Sequence, residues 1–243
     1  MACRGVQPNA HKWHVNLQTC NLRPATVQRL MPEITVEFAR SLYDGHDAAH
    51  AFDHVLRVTR LAAHIAEAEG ADVRIVRTAG LLHDMARLEP DHHLAGAARA
   101  RDILTDEDPA FVEAVAHCIE AHRFSVEPHP ATIEAQCLMD ADRLDAIGAI
   151  GVARAFAYAG SHNNRLWAGT LADIRQEVGD DPDAYRRAHA GTPDYTPAHE
   201  LICKLERLAE GLHTATARAI AAGRHAFMLE FFLRLDREVL GEE

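Results

Sequence analysis

An all-helical fold, built as a single helical bundle, is what this chain of 243 residues predicts. Three observations carry that reading. Apolar residues recur at spacings of three and four through most of the chain from Pro32 onward, no stretch alternates with period two over a strand's length, and none reaches the apolar length of a membrane span. With 48% hydrophobic and 25% charged residues, the composition suits one sizeable core. It excludes the low-complexity, collagen-like and disulfide-stapled classes.

The elements follow in order. Ile34, Val36, Phe38, Ala39 and Leu42 predict a first helix. Phe52, Val55, Val58, Leu61, Ala62, Ile65 and Ala66 predict a longer second one, which Gly70 closes. Asp72 is the expected N-cap of a third, running through Val73, Ile75, Val76, Ala79, Leu82 and His83. Further helices are expected near 93–105, 108–122, 131–147, 149–159, 197–221 and 224–239. Between the helices near 149–159 and 197–221, the turn-forming strings Gly179-Asp180-Asp181-Pro182-Asp183 and Gly191-Thr192-Pro193-Asp194 predict a long polar loop near 161–197. Residues 1–30 carry Arg4, Lys12, Arg23 and Arg29, no acidic residue and no sustained apolar period. They read as a disordered or mis-started extension, outside one domain spanning 31–243.

Charge narrows the function classes. Twenty-five basic residues face 36 acidic ones, a formal net charge of −11, and lysine occurs only at 12 and 204. Duplex nucleic acid, which demands a basic face to displace counterions, is a poor partner for such a chain. A polyanionic substrate must be drawn in locally, by a cation or a few arginines. The five cysteines include no C-x-x-C pair, and Cys118, Cys137 and Cys203 fall in apolar helical runs. Free buried thiols and a cytoplasmic location are therefore expected.

The chemistry concentrates in three places. Leu81-Leu82-His83-Asp84 ends the most apolar helix, and burying an imidazole beside a carboxylate is costly unless a cation compensates. His54 lies on the preceding helix, in the string His54-Val-Leu-Arg57-Val58. Asp140-Ala-Asp142-Arg143-Leu144-Asp145 then places three carboxylates on an otherwise apolar helix. Asp140 and Asp142 point roughly 200° apart, so only one of them can reach a cation held by His54 and His83. Imidazoles and carboxylates without a thiolate suit Mn²⁺ first, and also Mg²⁺, Co²⁺, Ni²⁺ or Fe²⁺, better than a closed zinc site.

These residues resemble the HD-domain metal-dependent phosphohydrolase superfamily, whose signature is H…HD…D. The resemblance is closest to a bacterial subgroup with D-H-V-L-R-V, L-L-H-D, H-H, H-x-F-S and D-A-D-R-L-D-A-I-G-A-I-G in order. This chain has Asp53 to Val58, Leu81 to Asp84, His92-His93, His122-Arg123-Phe124-Ser125 and Asp140 to Gly151. The resemblance implies His54, His83, Asp84 and Asp142 as metal ligands, Asp142 being the aspartate before the Arg-Leu pair. It also implies hydrolysis of (deoxy)nucleoside triphosphates to monophosphate and pyrophosphate, with a nucleotidase, a phosphodiesterase or a non-catalytic nucleotide-binding module as the alternative.

A cation so held would acidify water and polarise phosphorus. His93 and His122 are expected to face the pocket, as proton shuttles or as part of a second metal site, and Asp145 to lie one turn from Asp142. His50 would orient His54. Arg57, Arg87, Arg123, Arg143 and Lys204 are the candidate phosphate contacts. Two positions depart from the family pattern: Arg87 stands where some relatives have an acidic residue, and Arg123 where a small polar residue is usual. An acidic helical domain of this kind often forms a homodimer.

Overall fold

A computed structural model describes residues 34–43, 52–123 and 129–242. The expectations for residues 1–30 and for His50 lie outside them. The described residues form eleven α-helices and one 3-10 helix, with no strand among them.

A short α1 (Val36–Arg40) starts at Thr35, whose hydroxyl accepts the Phe38 amide. Then come α2 (Phe52–Glu69) and α3 (Val73–Leu82). Gly70 ends α2 at a φ of +74°, where a side chain would be strained, and Asp72 caps α3 by accepting from the amides of Arg74 and Ile75. Next are α4 (His92–Ile103), α5 (Pro109–Ala121) and α6 (Ile133–Asp145). Asp108 caps α5 ahead of Pro109, and Thr132 caps α6. The helices α2, α3, α5 and α6 pack on one another, α4 lies on α5, and α7 (Gly148–Ser161) lies on α11 (Ala215–Leu240). The core between them holds Val55, Val58, Ile65, Leu82, Val115, Ile119 and Leu138, all fully buried. Each such side chain stabilises the fold by about 1.5–3 kcal/mol relative to exposure.

The C-terminal half departs from the sequence reading twice. The segment 161–197 is not one long loop: it contains α8 (Leu171–Val178), closed at its start by a Thr170–Asp173 capping box, and α9 (Pro182–His189), capped by Asp181. The turn residues that suggested a loop are caps of short helices, and Leu171, Ile174 and Val178 bury a small apolar face. The expected helix at 197–221 is in fact α10 (Pro197–Cys203) followed by a 3-10 turn (Leu205–Gly211). A new helix, α11, then starts at the Thr214 cap and runs without a break to Leu240. No helix among the described residues is long and apolar enough to cross a membrane.

Candidate metal centre

Five helix ends converge on one buried group. His54 sits in the first turn of α2, His83 and Asp84 follow α3, His92 opens α4, His122 follows α5, and Asp142 and Asp145 lie in the last turn of α6. The closeness of α2 and α3 depends on Gly80, since a Cβ there would lie 2.8 Å from Thr59 Oγ1 and 3.1 Å from its Cα. Gly80→Ala should therefore push the two helices apart. We expect a cost of about 1–3 kcal/mol in thermal unfolding, together with weaker retention of metal, and unfolding with metal analysis on one sample measures both.

Helix termini also set the ring orientations. His83 and His122 each follow the last residue of a helix, where carbonyls lack intrahelical partners. Their Nδ1 atoms lie 2.8 Å from Gly80 O and 2.6 Å from Ile119 O, so each donates to a C-terminal carbonyl and aims Nε2 into the group. His54 is held differently. Its Nδ1 is 2.7 Å from Asp145 Oδ2, and Arg57 donates to both oxygens of that carboxylate, at 2.8 and 3.0 Å.

The functional atoms then meet. His54 Nε2 is 3.3 Å from Asp142 Oδ1 and 3.8 Å from Asp84 Oδ2, which is also 3.8 Å from His83 Nε2. On the other side of the carboxylate, Asp84 Oδ1 is 3.4 Å from His122 Nε2 and 3.8 Å from His92 Nε2. His83 Nε2, Asp84 Oδ1 and His122 Nε2 are buried and have no hydrogen-bond partner among the described residues. Orphaned donors and acceptors of this kind are costly; a divalent cation among His54, His83 and Asp84, whose ligand atoms all lie within 4.8 Å of one another, would satisfy His83 Nε2, while Asp84 Oδ1 and His122 Nε2 belong with His92 to a second group that could hold an ion. The residues fit such an ion.

Protonation follows the environment. Burial disfavours charge on all these rings. His83 is pushed down to about 4 by it, and His92 to about 4 by burial and by the charge of His122. In His54 the contacts with Asp142 and Asp145 outweigh burial and lift it to about 9. His122 is raised by Asp84 in the same way, and Asp84 is held far below the ordinary carboxylate range by His83, His122 and Arg87 despite its burial. The charged His54 ring thus stabilises the metal-free fold fully below the ordinary value of 6.5, and that contribution is lost as pH rises through about 9. A cation needs the neutral ring, so Mn²⁺ uptake at pH 7 should expel about one proton. Apparent affinity should climb about tenfold per pH unit up to the His54 value. Calorimetric titrations in two buffers of different ionisation enthalpy count that proton.

The other expected site residues divide. Asp140 is fully buried, but it points away and accepts from the amides of His213 and Thr214 and from the Thr214 hydroxyl. Asp145 meets His54 through Nδ1, on the side of the ring away from Asp84 and Asp142. Of the adjacent pair, His92 approaches Asp84, whereas His93 is buried against the His92 ring and lies in neither ligand group. Arg57 donates to Asp145 and Asp53, and Arg143 donates to Gly211 O. Arg123 donates to Pro90 O at the approach to α4. Arg87 lies 3.5 Å from Asp84 Oδ1 and 3.4 Å from His92 Nε2. Lys204 pairs with Glu200 at 3.4 Å, beside a cleft that Arg87 also lines. His117 accepts the Ala131 amide, a structural role. Sequence reasoning missed His92 and also Arg154, whose guanidinium lies 3.3 Å from Asp145 Oδ2. The His-His pair was visible, but its two rings diverge by about 100° on a helix, and only the packing of α4 chooses between them.

The HD domain family profile matches residues 51–147, the stretch that supplies His54, His83, Asp84, His92, His122, Asp142 and Asp145. YpgQ of Bacillus subtilis is 35% identical over 211 residues, covering 84% of this chain and 91% of that protein. The chain belongs to the HD-domain hydrolases. The crystal structure of Bacillus subtilis YpgQ in complex with ADP matches this HD domain with a TM-score of 0.61 at 32% identity, over 84% of this chain and 92% of the other. An HD-superfamily hydrolase from Bacillus thuringiensis matches with a TM-score of 0.64 at 27% identity, over 84% and 93%. Ribonuclease Y of Chloroflexus aurantiacus is 34% identical over 125 residues, which is 49% of this chain but only 23% of that protein.

Proposed function

We propose that this HD-domain hydrolase cleaves a nucleoside triphosphate to the monophosphate and pyrophosphate, using one divalent cation, Mn²⁺ foremost, held by His54, His83, Asp84 and Asp142. The observation that carries the reading is the buried group itself, in which His83 Nε2 lacks a hydrogen-bond partner beside His54, Asp84 and Asp142. When bound, such a cation supplies an acidified water and a polarised phosphoryl oxygen. The chain's own residues do the rest. Asp145 and Arg57 fix the His54 ring, the carbonyls of Gly80 and Ile119 fix those of His83 and His122, and His122 turns its Nε2 toward Asp84.

Arg87 bears on the metal count. Its guanidinium contacts both Asp84 and His92, two of the three members of the second ligand group, and places a fixed positive charge where a second cation would sit. This supports one cation per chain. The nucleotide class is supported by the YpgQ structure with ADP. The likeness to ribonuclease Y is confined to the HD segment, and a net charge of −11 does not favour an RNA substrate. A panel of nucleoside tri-, di- and monophosphates assayed with Mn²⁺ and with excess chelator tests the proposal. Turnover of triphosphates that chelation abolishes is expected, and binding without turnover would identify a nucleotide-binding module instead.

A further inference from the structure

Of the residues expected to hold phosphates, Arg87 and Lys204 line one cleft, whereas Arg57 and Arg143 do not. That cleft, of about 310 Å³, lies between α7, α9 and α10. It lies within the size range of small-molecule sites. Its charged lining consists of Arg87, Arg154, Arg186 and Lys204 against the single acid Glu200, a local positive excess on a chain of net charge −11. The cations are held in place. Glu200 is 3.1 Å from Arg186 and 3.4 Å from Lys204, while Arg154 is 3.3 Å from Asp145.

Two of the lining arginines tie the cleft to the metal centre. Arg87 contacts Asp84, the shared carboxylate, and Arg154 contacts Asp145, the partner of His54. The cleft and the metal centre therefore share these two arginines as their common wall. We infer that it receives the β and γ phosphates, the pyrophosphate that leaves, with Arg87, Arg154 and Lys204 as charge partners. This rests on the triphosphate reading above. A neutral nucleoside in the same place would strip water from four cations and give nothing in return, so the sugar and base extend away from the cleft. Tyr158, half exposed at the rim, is then not a base-stacking residue. Fixed guanidinium and ammonium groups would stabilise the growing charge on the departing pyrophosphate, a task that a single cation cannot perform alone.

Calorimetric titration of inorganic tripolyphosphate into the full-length, chelator-treated protein tests the inference without turnover. Tripolyphosphate should bind, more weakly as salt rises, and Arg154→Gln and Lys204→Gln should each loosen it about tenfold. Tyr158→Ala should leave its affinity unchanged, and adenosine should give no heat. Unaltered circular dichroism shows that each variant is folded; Lys204→Gln removes a partly exposed side chain and keeps the test decisive if Arg154→Gln fails to fold. Absence of tripolyphosphate binding, binding that Arg154→Gln and Lys204→Gln both leave unchanged, or adenosine binding lost in Tyr158→Ala would overturn the assignment. Triphosphate turnover with Mn²⁺, measured on the same wild-type sample, separates the two readings. Turnover without tripolyphosphate binding rejects the cleft alone, and tripolyphosphate binding without turnover rejects the hydrolase reading alone.

Discussion

Asp142→Ala should yield a folded protein that has lost most of its metal and its Mn²⁺-dependent activity, and His54→Ala, His83→Ala and Asp84→Ala should do the same. The Asp142 carboxylate is partly exposed and faces His54 at 3.3 Å, so its removal takes a ligand from the centre without opening the core. Asp145→Asn should behave more mildly. It keeps the shape but weakens the grip on the His54 ring and on Arg57, and such supporting partners typically cost about 10- to 100-fold in metal affinity. Metal content by mass spectrometry after gel filtration ranks the set. Full metal in His83→Ala would remove the site from where it is placed here.

Asp140→Ala should give the opposite phenotype, a large loss of stability in a protein that still takes up metal. Its carboxylate is fully buried and accepts from two amides and one hydroxyl at the start of α11, so truncation leaves those donors unpaired inside the protein. A cost of about 2–4 kcal/mol follows, which for a chain of this size lowers the melting temperature by roughly 5–15 °C. Thermal unfolding in excess Mn²⁺, with metal content read alongside, distinguishes this residue from Asp142. If Asp140→Ala lost metal while Asp142→Ala kept it, the helical register of α6 would be wrong.

The contrast between these two aspartates shows how much of the centre was legible in the sequence. Helical geometry established that they face apart, and the D-R-L pattern selected Asp142, but what Asp140 does instead depends on a contact 74 residues away with Thr214, which no local pattern announces. The same holds for Arg57 and Arg143. Both are sequence neighbours of ligands, and adjacency suggested phosphate contacts. Yet the carboxylate of Asp145 and the carbonyl of Gly211 claim them, because a buried acid or a helix-end carbonyl attracts the nearest cation.

The helices α3, α5 and α6 were readable because each carries a side-chain cap ahead of its apolar run, as with Asp72 and α3. The segment 161–197 was misread for a physical reason. Helices of eight residues bury too few apolar side chains to show a period, and their capping residues are the same Asp, Thr, Gly and Pro that build loops. Arg154 and the cleft were invisible for that cause, since the cleft exists only once α10 packs on both α7 and α9.

The central claim is that a cation-binding HD centre directs water to the α-phosphorus of a nucleoside triphosphate. It is tested most directly by hydrolysis in H₂¹⁸O with Mn²⁺, followed by mass spectrometry of both products. Label in the nucleoside monophosphate, with unlabelled pyrophosphate released in equal amount, is the predicted result. Orthophosphate as the first product, or label in pyrophosphate, would contradict it.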